Sequence, residues 1–466
     1  MKVLFLYTNI NGFHDDVFSF GLASIVSVTK QNGHDAEILL IRDKGDYDRV
    51  ARAVKTAHPQ VVGFSSVSSQ FHFVKELSEL VKQVAPETIT VCGGVHPTIN
   101  PQCVLETNAL DAVFVGESED AFAEFLKKVS RHESFEDVAN MAFQRNGRFI
   151  QNKLNPLITD FERLPFPDRD NALFDETVKA VGYAPFFFSR GCPYLCSYCS
   201  NHAIAQAYGL TSNRPRFRSA ESSIREIEEV VKKYSISKIA IVDDVFGIDK
   251  EWRKEFCEKY KERINIRFFC LLRANLVDEE FVRLLKDAGC YRVSIGVESG
   301  NDYVRNTVMN RKMSNEQMIQ AFDLFRKYGL QTNSLNIIGT PGETEEMIWD
   351  TIRLNRRLRP TSSGVNIFYP YKGTKLGDYC FEQGLVNEEL YNSFSNERRS
   401  TVLKYPEEFK KKLEYYRSHW EFLINRSNYK YHVRMLIEGL LRKLGIWNRL
   451  VQIKRSVFSR LRKKKV

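Results

Sequence analysis

The chain has 466 residues, 43% of them hydrophobic and 27% charged, with a formal net charge of +10. That balance excludes a disordered, collagenous or low-complexity polypeptide, and no apolar run approaches the roughly 18–20 residues a membrane span needs. The charge is uneven: residues 430–466 carry 12 Lys or Arg against one acid, Glu438, so the rest of the chain is close to neutral. A body without net charge argues against whole-protein attraction to nucleic acid.

The first apolar stretch, KVLFLY, is too short for a secretory signal and reads as a strand. Nine cysteines, an odd number in a long chain, favour metal-binding or catalytic thiols over a disulfide framework, and with them a reducing, cytoplasmic setting. Residues 1–135 alternate short apolar runs (2–7, 36–41, 61–65, 88–91, 112–115) with helical patterns such as 20–31 and 73–84. Such alternation predicts a parallel sheet covered by helices on both faces, with ligands beyond the carboxyl ends of the strands. Those ends carry Ser65-Ser66, Gly93-Gly94 and Gly116-Glu117. Residues 136–180, with Pro156, Pro165 and Pro167 and no clear period, read as a linker.

A second alternating block fills residues 181–375, with strands expected at 185–189, 238–242, 267–271, 292–295, 332–337 and 364–367, and helices at 222–234, 278–288 and 315–328. Six such units make most of a barrel. Residues 376–466 read as a helical region ending in a basic tail. In that tail Ile437, Leu440, Leu441, Leu444, Trp447, Leu450 and Val451 fall at spacings of three and four, a cationic amphipathic helix. Two readings stay open for it: peripheral contact with a membrane surface, which would suit a lipid-like substrate, or an apolar face packed on the barrel.

The strongest local feature follows the first strand of the second block: Cys192, Cys196 and Cys199 in the spacing C-x3-C-x2-C. Three thiolates plus a vacant position suit an iron–sulfur cluster with one open iron; the competing reading is a closed zinc site with His202 as fourth ligand. Cys257, Cys270, Cys290 and Cys380 read as ordinary core thiols. Further along, Asp243-Asp244, Arg273, the run Gly296-Val297-Glu298-Ser299-Gly300, the run Gly339-Thr340-Pro341-Gly342-Glu343-Thr344 and Pro370-Tyr371-Lys372-Gly373-Thr374 each follow a strand, where a barrel places its active-site groups.

With an aromatic residue before the third cysteine, this series resembles the radical S-adenosylmethionine (SAM) enzymes, in the subgroup with an N-terminal cobalamin-binding domain. The resemblance spans roughly residues 1–375. It implies an α/β protein: a Rossmann-like (flavodoxin-like) sheet domain, a partial (β/α)6 TIM-type barrel and a helical C-terminal region. It implies three cofactors: a 4Fe–4S cluster on Cys192, Cys196 and Cys199, SAM on its open iron, and cobalamin. For SAM it points to Glu298 at the ribose hydroxyls, Arg273 at the carboxylate, Asp243 at the amino group and Tyr198 beside the adenine; strand-end capping is the plain alternative for Asp243, and a rim ion pair for Glu298. For cobalamin it points to Ser65, Gly93, Gly94 and Gly116.

The first loop, with His14, lacks the Asp-x-His-x-x-Gly pattern of proteins that ligate cobalt through histidine, so no histidine ligand is expected. The related methylthio-transferring enzymes need three N-terminal cysteines for a second cluster; here there are two, Cys92 and Cys103. The implied activity is a reaction through a 5′-deoxyadenosyl radical on a small-molecule or lipid-like substrate, with an electron donor such as flavodoxin or ferredoxin. The reaction expected is methylation of an unactivated carbon or phosphorus; cyclisation, oxidation or rearrangement without methyl transfer is the other enzymatic reading, and a non-catalytic cofactor-binding sensor or structural metal protein the non-enzymatic one.

Overall fold

The computed structural model describes residues 1–10, 17–212, 214–393 and 397–425; His14 and the basic tail lie outside the described residues. The first unit runs β1 (Lys2–Thr8), α1 (Phe20–Gln31), β2 (Asp35–Ile41), α2 (Tyr47–Ala57), β3 (Val61–Ser65), α3 (Phe71–Val84), β4 (Ile89–Gly93), α4 (Val95–Ile99), β5 (Ala112–Phe114), α5 (Glu119–Ser130), β6 (Met141–Arg145) and β7 (Arg148–Gln151). The sheet order is β2-β1-β3-β4-β5-β6-β7. Its first five strands are parallel, so each needs a helical crossover, which the amphipathic segments supply. The strand order reverses between β1 and β3, and their carboxyl ends open a crevice there.

The hairpin β6–β7 lies within the stretch read above as a linker. It extends the sheet antiparallel, burying Met141, Ala142 and Phe143. Its turn is Asn146-Gly147, both at positive φ (51° and 72°), the geometry a two-residue hairpin requires.

The second unit adds α6 (Ala172–Val181), β8 (Ala184–Phe186), β9 (Ser189–Arg190), α7 (Ser200–Ala207), β10 (Arg216–Phe217), α8 (Ala220–Lys233), β11 (Ile239–Ile241), α9 (Lys250–Arg263), β12 (Phe268–Leu272), α10 (Glu279–Asp287), β13 (Cys290–Glu298), α11 (Asn315–Lys327), β14 (Gln331–Ile338), α12 (Glu345–Leu358) and β15 (Ser362–Ile367). Six of these strands form a parallel sheet in the order β15-β14-β13-β12-β11-β8. The strands stand in sequence order, each joined to the next by a helix, as in an incomplete barrel. After it come α13 (Lys375–Glu382), α14 (Glu388–Ser393), α15 (Glu407–Ser418) and α16 (Trp420–Ile424). Leu413, Tyr416 and Trp420 of the last two pack on Ile338 and Ile367, closing the open edge of the barrel with apolar contact. Among the described residues no helix is long and apolar enough to cross a membrane.

The two units share one core. The Arg169 guanidinium lies 5.4, 5.5 and 4.7 Å from the rings of Phe18, Phe174 and Phe186, and its Nη1 is 2.7 Å from Glu226 Oε1. Stacked rings and a paired carboxylate stabilise a cation that burial alone would expel. Nearer the strand ends, Arg216 makes a two-pronged pair with Glu117, at 2.9 and 2.6 Å, and Arg190 reaches Glu119 at 2.5 Å. Gly116 and Gly373 mark further close approaches. A Cβ on Gly116 would stand 2.1 Å from the Tyr208 hydroxyl, and one on Gly373 2.1 Å from the Ile99 carbonyl. Both glycines also have positive φ, so other residues are excluded twice over.

Candidate active site

The cysteine loop leaves β9 through Gly191, at φ 95°. It is sewn to the segment after β13: Ser197 N–H donates to the Met309 carbonyl (3.1 Å), the Ser197 hydroxyl to the Val308 carbonyl (2.6 Å), and Asn310 Nδ2 to the Leu195 carbonyl (2.7 Å). Cys196 is buried; Cys192 and Cys199 are half-buried. Burial pushes the thiols of Cys192 and Cys199 up, to about 11 and about 12, and each also feels the charge of Cys196. Among the described residues no three His, Cys, Asp or Glu side chains close on a single ion. A multi-iron cluster takes three thiolates at separate corners and leaves one iron open, a donor set that three cysteines in one short loop supply.

Beside the loop sits a buried polar group made by three elements. Arg311 donates from Nη1 to the Tyr198 hydroxyl (2.7 Å) and from Nη2 to the Gly296 carbonyl (2.7 Å), and lies 3.4 Å from Glu298 Oε1. Glu298 ends β13 at φ 63°, where the register with β14 shifts, a conformation that costs a non-glycine residue about 1–3 kcal/mol. Burial raises the Glu298 carboxyl against the pull of Arg311. Strain and buried charge together mark a position held for chemistry rather than for stability. Arg273 lies under the loop: its guanidinium is 3.7 Å from the Tyr194 ring centroid, Nη1 is 3.6 Å from Cys196 Sγ, and Nη2 donates to the Arg311 carbonyl.

Asp243 follows the capping alternative at one of its two oxygens. It is wholly buried, and its Oδ1 accepts the backbone N–H groups of Phe188 (2.6 Å) and Ser189 (3.2 Å). The amides leading into the cysteine loop need an acceptor once they are buried, and Oδ1 supplies it, while Oδ2 is buried without a hydrogen-bond partner among the described residues. The run 339–344 also folds on itself: Glu343 Oε2 accepts from Thr340 N (3.0 Å) and Oγ1 (3.1 Å), and Thr344 caps α12.

A cavity of about 800 Å³ separates the two sheets, with Ser65, Ser66 and Gly94 on one wall and Tyr198, Cys199 and Glu298 on the other. A smaller slot of about 250 Å³ adjoins it at Gly21, Ser65 and Gly94. The slot enters the first sheet past Gly93 and Gly116, among Phe5, Val91, Phe114 and Phe122. A glycine rim over an apolar slot fits a large cofactor whose planar base hangs from a flexible arm, as in cobalamin. Sequence reasoning brings Ser65, Gly93, Gly94, Gly116, Tyr198 and Glu298 to these cavities. It misses Arg311, which stands in a run with no strand-end or spacing signal.

Fold and site define an α/β enzyme in which two cofactor-binding sheets present their carboxyl ends to one shared space. Two family models match in tandem: the B12 binding domain over residues 9–126 and the Radical SAM superfamily over residues 186–354. An uncharacterized methyltransferase of Pyrococcus horikoshii is 27% identical over 371 residues, 78% of this chain and 79% of that protein. The anaerobic magnesium-protoporphyrin IX monomethyl ester cyclase of Rubrivivax gelatinosus is 25% identical over 396 residues, covering 80% and 68%. The solved radical S-adenosylmethionine methyltransferase TsrM of Kitasatospora setae, with tryptophan substrate and a SAM analog bound, shares the fold at a TM-score of 0.69 and 17% identity, covering 82% and 76%. The chain belongs to the radical SAM superfamily and carries, N-terminal to the superfamily's core, a B12-binding domain. It is a cobalamin-dependent radical SAM enzyme, whose cofactors are a 4Fe–4S cluster, SAM and cobalamin.

Proposed function

We propose that this enzyme transfers a methyl group to an unactivated carbon or phosphorus centre of a small molecule. The observation that carries the reading is the shared cavity: a substrate in it touches the wall that bears Tyr198, Cys199 and Glu298 and the wall that bears Ser65 and Gly94 at once. When bound, the cluster supplies an electron to the SAM sulfonium and cobalamin carries a methyl group.

The chain's own residues hold and orient these groups. Cys192, Cys196 and Cys199 hold the cluster. Arg273 is assigned to the SAM carboxylate, Glu298 offers an acceptor for ribose hydroxyls, and Tyr198 closes the side toward the adenine. Arg311 fixes Tyr198 and Glu298 by direct contact, so all three are set before SAM arrives. Ser65, Gly93, Gly94 and Gly116 line the slot assigned to cobalamin, and its apolar interior would take the base. The apolar members of the walls, Val17, Ile337 and Phe368 among them, keep water from a reactive intermediate.

Reconstituted anaerobically with iron, sulfide and hydroxocobalamin, then given SAM and a reductant, the protein is expected to form S-adenosylhomocysteine as well as 5′-deoxyadenosine. Cys196→Ala is expected to lose its iron and sulfide and all 5′-deoxyadenosine. Formation of 5′-deoxyadenosine with no S-adenosylhomocysteine would move the assignment to radical chemistry without methyl transfer, the reading favoured by the cyclase relative.

A further inference from the structure

The slot at the first sheet is not closed by the first unit alone. Leu164, Pro165 and Pro167, from the segment between the units, and Phe187, Phe188 and Arg218 of the second unit line its other side. Its charged lining residues are Glu117, Glu119, Arg190, Arg218 and Glu226. Glu117 pairs with Arg216, Glu119 with Arg190, and Glu226 with Arg169. The Ser24 hydroxyl is engaged too, donating to Glu119 Oε1 at 2.8 Å. Arg218 stands apart from these. It is 8% exposed, yet among the described residues its side chain makes no ion pair and one long hydrogen bond, from Nη1 to the Leu164 carbonyl at 3.4 Å. Its guanidinium lies 4.9 Å from the Phe166 ring centroid. Burial lowers its hold on the proton against the pull of Glu226. The main chain at this position is fixed on both sides: the Arg218 N–H donates to the Phe188 carbonyl (2.9 Å), and the Arg218 carbonyl accepts from Trp252 Nε1 (2.8 Å). A guanidinium is a fork of N–H donors, and burying such donors without acceptors is a cost that stacking on a ring offsets only in part. An occupant of the slot with an acceptor of its own recovers the rest.

We propose that Arg218 selects the corrinoid this enzyme takes: it donates to a ring nitrogen of the base in the slot, so a corrinoid whose base carries a free ring nitrogen binds in preference to one whose base has none. The inference rests on the slot taking the base of cobalamin, as proposed above, and adds to that reading a class of ligand and a residue from the barrel unit. A benzimidazole joined to its ribose through one nitrogen has one ring nitrogen left. Bonded to cobalt, that nitrogen has no lone pair to offer; detached from cobalt, it accepts a hydrogen bond. The apolar lining, Phe5, Val91, Phe114 and Phe122, suits the rest of the ring but separates aromatic bases of similar size only weakly. A buried donor separates them further, because a base without an acceptor leaves it unpaired.

The test reads binding and not turnover, so it is independent of methyl transfer, which S-adenosylhomocysteine reports. The full-length protein carrying its 4Fe–4S cluster is brought to equilibrium by dialysis with hydroxocobalamin, with a phenolyl cobamide, whose base has no ring nitrogen, and with cobinamide, which has no base. Arg218→Met is expected to weaken hydroxocobalamin binding about tenfold or more and to leave the phenolyl cobamide within about twofold of its wild-type affinity. The cost of detaching the base from cobalt belongs to the free corrinoid and cancels between the two proteins. Arg218→Lys, which keeps a charged donor, is expected to fall between Arg218→Met and wild type for hydroxocobalamin and to match wild type for the phenolyl cobamide. Equal losses for both corrinoids in the two variants, or no loss for either, overturn the proposal. Wild-type protein that binds cobinamide as tightly as the phenolyl cobamide takes the base out of the slot, and so overturns the reading beneath the proposal as well.

Discussion

Replacing Arg216 by Met tests whether the seam between the two units is held by charge. Arg216 and Glu117 are 12% and 13% exposed and joined at two points, and Arg216 Nη1 also donates to the Ile158 carbonyl at 2.5 Å. The variant leaves Glu117 buried with Arg190 4.0 Å away and the Ile158 N–H at 2.9 Å. Removing one partner of such a pair costs about 3 kcal/mol, chiefly because the remaining charge stays desolvated. A chain of 466 residues unfolds with an entropy of about 1 kcal/mol/K, so the midpoint should fall by about 3 °C if the units unfold together. If they unfold separately, the smaller cooperative unit should fall further. Differential scanning calorimetry at neutral pH measures either result. Adding Glu117→Gln should recover at least half of the loss, since a neutral amide keeps the acceptor without the charge. A single variant within about 1 °C of wild type, or a double variant no better than the single, would refute a desolvated pair.

Two further outcomes follow from individual positions. Gly94→Ala places a Cβ 2.7 Å from the Ser66 carbonyl oxygen at φ 103°, and should weaken hydroxocobalamin binding about tenfold while leaving the iron content of the reconstituted protein unchanged; a visible-spectrum titration reads the first and a ferrozine assay the second. Glu343 is buried, which raises its carboxyl to about 7 in the folded protein. A group whose folded value is raised binds more protons folded than unfolded, so its share of stability falls as pH rises from about 4.5 to about 7 and is constant above. Glu343→Gln should flatten the melting temperature over that window and stabilise the protein above it by about 3 kcal/mol at most; a variant with the wild-type pH profile would contradict the assignment.

The strands are legible in the sequence because parallel strands buried on both faces are written as continuous apolar runs, as in the VLFL of β1 and the VVGF of β3. The cysteine loop is legible because its ligands are close in sequence. The hairpin β6–β7 carries its own signal, Asn146-Gly147 between apolar residues, but the surrounding prolines and charges mask it. Arg311 and Arg216 have no such signal. Each acts through partners more than ten residues away in the chain, Arg216 through Glu117 at a separation of 99, and a pairing made by tertiary folding leaves no local period. For Asp243 the sequence leaves a ligand contact and strand-end capping both open. A strand-end position brings a side chain to the rim of the site, and only the fold decides whether its oxygens face a ligand or the backbone.

Helix α7 begins directly after Cys199 and ends at Tyr208, whose hydroxyl accepts from the Glu117 N–H at 2.7 Å across the seam. Eight residues of helix make a strut about 12 Å long. One end is anchored to a thiol of the cysteine loop and the other to the rim of the glycine-lined slot. The two halves are thereby mechanically coupled: a displacement of the loop that carries Cys199 is transmitted along the strut to the rim.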